Sequence, residues 1–218
     1  MSAGPVVIFD MDGVIFDTER LCLEGWQQVA ERHAIPDVES TLRRCIGVTP
    51  AVTRSIFLER YGADFPMDAY MTELRAFFQR HLDTGLPVMA GAREILEFLR
   101  DKGIPTAIAS STPTHMVRSE LAGVGLLSLF RETVGGDMAE RSKPSPDIFL
   151  AAAAALDAYP ADCFVIEDSY NGIRAAHAAG MRPLMVPDQL EPTEEIRALA
   201  EAVLPSLYEA RAYLEERL

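Results

Sequence analysis

Asp10 and Asp12 stand one residue apart at the end of the apolar run Val6-Val7-Ile8-Phe9, with Gly13 directly behind them. A carboxylate projecting from such a strand end can attack phosphorus or bind a cation. A second carboxylate two residues later can protonate a leaving oxygen and then deprotonate water, which is general acid–base work. Gly13 lets the chain leave the strand sharply. Taken alone, two aspartates in a loop are more often turn and cap chemistry.

Three further groups could complete a site. Ser110-Ser111-Thr112-Pro113 close the run Ile104 to Ala109. Three hydroxyls before a proline suit a helix start, and a helix start also presents N–H groups to a phosphate. Lys143 lies in Lys143-Pro144-Ser145-Pro146-Asp147. A loop lysine is ordinarily solvated, but flanking prolines restrict the backbone and suit a lysine that points inward, where it could neutralise a phosphate and Asp10. Glu167 and Asp168 follow the run Cys163 to Ile166 and precede Ser169. Adjacent buried acids repel unless a cation joins them, and Mg2+ with one or two carboxylates, waters and a phosphate fits best. Otherwise this pair is a solvated loop or a helix cap.

The elements that must position these groups are legible as a pattern. The apolar runs 6–9, 104–109, 163–166 and 183–186 read as strands, and the later ones are separated by helical stretches at 91–102, 145–157 and 170–179. Gly103 and Gly180 act as helix stops. Strands alternating with helices imply βαβ units, a parallel sheet and ligands at the carboxyl ends of its strands. Residues 18 to about 84 break this alternation with four helical patterns, 18–33, 39–46, 50–61 and 67–82. The expected fold is therefore α/β, a Rossmann-like sheet flanked by helices, with a small all-helical cap inserted after the first strand. The boundaries fall at 1–16 and 86–218 for the catalytic core and 17–85 for the cap.

Composition narrows the partners. The 218 residues, 49% of them hydrophobic, can bury a sizeable core. A net charge of −13 argues against binding polymeric nucleic acid or an anionic membrane. It also requires that any phosphate site be made locally positive. Cys22, Cys45 and Cys163 are odd in number and widely spaced, which excludes a disulfide scaffold and suits a reducing cytoplasm. The opening apolar run is too short for a signal-peptide core, and no stretch reaches the roughly 18 residues of a membrane helix. A cytoplasmic monomer acting on a small phosphorylated metabolite is expected.

The segment Asp10-Met11-Asp12-Gly13-Val14-Ile15-Phe16-Asp17-Thr18-Glu19, with Ser110, Lys143-Pro144 and Glu167-Asp168-Ser169, resembles the four motifs of the haloacid dehalogenase superfamily. The run from Asp168 to Met181 is similar to its β-phosphoglucomutase-like branch. The resemblance spans essentially the whole chain and implies a cap closing over a Rossmann-like core. It implies an aspartyl-phosphate on Asp10, a proton shuttle at Asp12, and phosphoryl oxygens held by Ser110 and the Ser111 amide. Lys143 would bridge phosphate and Asp10. Mg2+ would take the Asp10 carboxylate, the Asp12 main-chain carbonyl and Asp168, with Glu167 alongside.

Within that family the residues present separate the chemistries. Asp12 disfavours the dehalogenase and phosphonatase branches, and residues 18–84 contain no lysine for a Schiff base. The mutase members carry a histidine on the first cap helix, where Cys22 stands, and a basic residue after the cap Gly-Val, where Gly47-Val48-Thr49 leads to Pro50. Hydrolysis is therefore expected over a β-phosphoglucomutase-type transfer. A non-catalytic phosphate-binding module is a third reading, disfavoured because a binder needs no proton shuttle. Glu19, Trp26, Gly47 and Arg54 are the expected cap contacts to substrate, although Trp26 also suits core packing, Glu19 surface exposure and Arg54 a solvated helix charge.

Overall fold

The computed structural model describes residues 4–45 and 50–218. Strand β1 (Val6–Phe9) is buried along its whole length, as are β2 (Thr106–Ala109) and β4 (Cys163–Glu167). Burial on both faces explains why these segments read as continuous apolar runs without alternation. With β3 (Glu132–Val134), β5 (Arg182–Met185) and β6 (Ala202–Val203) they form a six-stranded sheet in the order β3-β2-β1-β4-β5-β6. Every pairing is parallel. The expected α/β architecture is the one observed.

Register puts the chemistry in one row. Phe9 lies opposite Ile108 on one side and Ile166 on the other. The next residue on each strand is thus Asp10, Ala109 and Glu167, with Ser110 one further, and the Asp10 amide bonds the Ile166 carbonyl at 2.9 Å. Helix α7 (Asp147–Ala155) packs on this sheet through Ile148, Phe149, Ala152 and Ala153, which belong to the same core cluster as Val6, Ile8 and Val165. Its small alanines allow close approach to the strands, and the loop that carries Lys143 is thereby anchored at the sheet's end. Helix α8 (Tyr170–Ala178) begins directly after the acidic pair, capped by Ser169 Oγ, which accepts from the Gly172 amide.

The chain divides into two compact units, residues 1–18 with 86–218, and residues 19–85. The second holds α1 (Thr18–Arg32, whose first residue falls in the other unit), α2 (Val38–Arg43), α3 (Pro50–Tyr61) and α4 (Met67–Thr84). Its core is aromatic: Trp26 lies 4.7 Å from Phe57 and 5.1 Å from Tyr70 between ring centroids. The Tyr70 hydroxyl donates to the Trp26 carbonyl, satisfying a polar atom that burial would otherwise strand. In the first unit, α5 (Ala92–Asp101) leads into β2 and buries Ile95, Leu96 and Leu99, while Phe98 of the same apolar run is only half-buried.

Sequence reading did not find β3 and β6. Arg131, Glu132 and Thr133 carry too little apolar pattern to announce a strand, and β6 is two residues long. Both lie at the sheet's edges, where such short, polar strands are tolerated.

Candidate active site

Lys143 reaches the sheet end from the loop before α7 and binds two carboxylates together. Its Nζ lies 2.5 Å from Asp10 Oδ1 and 2.8 Å from Glu167 Oε1, with the Ala109 carbonyl at 3.4 Å and the Phe149 ring beneath it. All three side chains are at most 10% exposed. Burial alone would discharge the ammonium, but Asp10 and Glu167 outweigh it and hold Lys143 above its usual range. Glu167 Oε2 accepts from the Ser169 amide at 2.7 Å, so both of its oxygens are engaged. Gly172 makes room for this carboxylate, since a Cβ there would lie 1.6 Å from Glu167 Oε1.

The remaining acids are less well compensated. Burial pushes Asp10 up to about 7, with Lys143 opposing and Glu167 and Asp12 adding to the rise. Asp168 is pushed up to about 9, first by burial and then by Glu167, Asp10 and Asp188. Oxygens of Asp10, Glu167 and Asp168 lie within 4.8 Å of one another. One lysine among three clustered carboxylates leaves a charge deficit that a hard, oxygen-seeking cation would fill. The donor set thus fits a divalent ion, and because Glu167 is engaged on both oxygens, Asp10 and Asp168 are the better placed ligands. Gly13, at φ +77°, gives Asp168 its space: a Cβ there would lie 2.5 Å from Asp168 Oδ2.

Asp12 is raised by burial, against hydrogen bonds from the hydroxyls of Thr18 and Thr112. A carboxyl that holds its proton more firmly than usual, fixed by two hydroxyls, is suited to donate that proton. Ser110 is buried; its amide bonds the Val134 carbonyl and its Oγ accepts from the Thr112 amide at 3.1 Å. Ser111 beside it is exposed.

The helix start behind these hydroxyls, α6 (Thr114–Gly123), is organised differently from expectation. Pro113 has no N–H, and the Thr114 amide and hydroxyl both donate to Asp137 Oδ1 at 2.7 Å. The positive end of this helix already holds a carboxylate of the protein itself.

Of the expected substrate contacts, Trp26 is 5% exposed and enclosed by Val29, Phe57 and Tyr70, which is a packing role. Arg54 pairs with Asp68 at 2.7 Å on the surface of α3 and α4, and Glu19 is exposed. Gly47 lies outside the described residues. Thr18, Asp137, Asp147 and Asp188 were not singled out from sequence. Asp147 takes three hydrogen bonds from Arg141 and one from Ser145 Oγ, closing the loop around Lys143 into a ring. Its type before a helix signals only a cap, and the ring depends on contacts a sequence does not display.

A family model described as haloacid dehalogenase-like hydrolase matches residues 5–180, most of the chain. The protein belongs to the haloacid dehalogenase-like hydrolases. Among relatives in this family, the phosphorylated carbohydrates phosphatase of Thermotoga maritima is 35% identical over 80% of this chain and 81% of its own. A Thermotoga maritima crystal structure provisionally named a β-phosphoglucomutase superposes with a TM-score of 0.84 at 32% identity, covering 98% of this chain and 100% of the other. A family hydrolase from Deinococcus radiodurans, solved with bound phosphate and sodium, gives 0.81 at 32% identity over 98% and 96%. The family and its sheet are thus shared with proteins that handle phosphate.

Proposed function

We propose that this hydrolase is a Mg2+-dependent phosphatase of small phosphorylated metabolites, with phosphorylated sugars the favoured class. The observation that carries the reading is the Lys143 bridge between Asp10 and Glu167 at the strand ends, beside an Asp12 that burial makes a weaker acid than usual. Asp10 attacks phosphorus through a carboxylate oxygen, and the bond to the leaving alkoxide breaks as Asp12 gives that oxygen its proton. Asp12 then takes a proton from water, and the resulting hydroxide attacks the aspartyl-phosphate, releasing inorganic phosphate and restoring Asp10. Ser110 Oγ, already accepting from Thr112, keeps its own proton to donate to a phosphoryl oxygen, with the Ser111 amide beside it. Lys143 stays charged throughout and meets the phosphate's negative charge. Asp10, Asp168, the Asp12 carbonyl and the neighbouring Glu167 would hold Mg2+, which supplies positive charge against the phosphoryl oxygens as charge develops.

The relative's name, phosphorylated carbohydrates phosphatase, supports the substrate class. Phosphate transfer between sugar positions is the second reading, favoured by the likeness to the structure provisionally named a β-phosphoglucomutase. Against it, Cys22 packs on the helical unit's own aromatic core and offers no charge to a second phosphate. Glu19 and Arg54 stay as proposed substrate contacts.

Incubating the protein with Mg2+ and a panel of phosphorylated sugars, nucleotides and small acids tests the proposal. Release of inorganic phosphate, abolished by EDTA, is expected. Migration of phosphate between positions, stimulated by a sugar bisphosphate, would establish the mutase instead. No turnover with any member would leave a binding module.

A further inference from the structure

Asp188 Oδ2 is buried, and it is the only buried side-chain nitrogen or oxygen among the described residues with no hydrogen-bond partner. Its other oxygen accepts from the adjacent Gln189 at 3.1 Å. A buried, unpartnered carboxylate oxygen is costly, and local structure gives no reason for it. Asp188 caps no helix: α9 (Glu194–Leu199) is capped by Thr193, which accepts from the Ile196 amide.

Its place in the fold points toward the acidic site. Met185, the last residue of β5, pairs with Glu167, and the Val186 amide bonds the Glu167 carbonyl at 2.8 Å. The chain therefore leaves the sheet beside Asp168 and reaches Asp188 two residues after Val186. Asp188 thus lies at the same end of the sheet as Asp168. Yet Asp188 lies outside the tight group formed by Asp10, Glu167 and Asp168. A carboxylate at that end of the sheet but outside the ligand group suits the layer beyond the ligands. Mg2+ keeps several of its waters, and those waters need acceptors.

We propose that Asp188 is a positioning residue for the cation, its Oδ2 accepting a hydrogen bond from a water on the divalent ion held by Asp10 and Asp168. The inference rests on the cation reading given above and extends it to a residue outside the four family motifs.

Titrating Mg2+ into the full chain, without substrate, by calorimetry and by melting temperature tests it. Asp188→Ala, which leaves no acceptor, is expected to raise the Mg2+ dissociation constant about tenfold, and Asp188→Asn, which keeps one oxygen, by less. In EDTA both variants should melt no lower than wild type, because a buried charge beside Asp168 has been removed. A wild-type dissociation constant in Asp188→Ala would overturn the proposal, as would a lowered melting temperature in EDTA with unchanged Mg2+ affinity. Asp168→Asn separates the two levels. If Asp168→Asn loses Mg2+ binding while Asp188→Ala matches wild type, only the role of Asp188 falls. If wild type itself fails to bind Mg2+, the cation reading falls and takes this inference with it.

Discussion

The two units of this chain treat charge in opposite ways. In the sheet-containing unit, Asp10, Glu167 and Lys143 are gathered at strand ends with almost no exposure. In the helical unit ion pairs such as Arg54 with Asp68, Arg44 with Glu59 and Arg60 with Asp37 stand at the surface, and the interior holds Trp26, Phe57 and Tyr70. Buried pairs have little solvent to screen them and lose much when one partner is removed. Exposed pairs are nearly indifferent to such a loss. The difference marks where electrostatics is organised for chemistry and where it only keeps a surface soluble.

Asp10→Asn should break the comparison most severely. Phosphate release is expected to fall by at least about a thousandfold, on the order of 4 kcal/mol in the activation barrier, with the circular-dichroism spectrum unchanged. Retained turnover would remove Asp10 as the nucleophile. Next, Lys143→Met and Trp26→Ala should each cost about 3–5 kcal/mol of stability by denaturant titration, for different reasons. The lysine change leaves two buried carboxylates facing each other, so its cost should shrink toward acid pH as they take up protons. The tryptophan change leaves a cavity, so its cost should not vary with pH. Equal pH behaviour in the two variants would contradict the division drawn between the units.

A subtler effect concerns the raised carboxylates. Burial pushes Asp10 up to about 7 and Asp168 up to about 9, above the ordinary value of 3.8. The folded state therefore holds protons that the unfolded chain has released, and this contribution to stability is lost as pH rises through those values. In EDTA the melting temperature should fall between pH 5.5 and 9. Added Mg2+ should restore more of it at pH 8.5 than at pH 5.5, and a pH-independent gain would argue against a cation on these groups. Arg54→Ala should have the smallest effect, with no measurable change in melting temperature. A rise in KM with kcat retained would assign Arg54 to substrate, and no change in either would leave it as a surface ion pair.

Much of the site was legible in the sequence because its residues sit next to uninterrupted apolar runs. Val6–Phe9, the run before Ser110 and the run before Glu167 each announce a buried strand, and a parallel sheet gathers the polar residues at their ends into one place. The helical block from Thr18 to Thr84 was equally plain, since four amphipathic patterns pass without a strand between them. The features that could not be read depend on which partner an acid finds in the fold, which residue type alone does not announce. Asp137 at the start of α6, Asp147 around Lys143 and Asp188 beyond β5 are each acids, a type whose ordinary fate is solvation. Trp26 illustrates the converse: an aromatic on a helix face suits a ligand or a core, and only the rings around it decide.

The carboxylate that occupies the start of α6 bears on how the reaction ends. An open helix terminus attracts any phosphate, product included, and would slow the emptying of the site. With Asp137 seated there, the Thr114 amide and hydroxyl are already engaged by the protein's own carboxylate. On the proposed phosphatase reading, the departing phosphate would then leave a side-chain and loop site rather than a helix end.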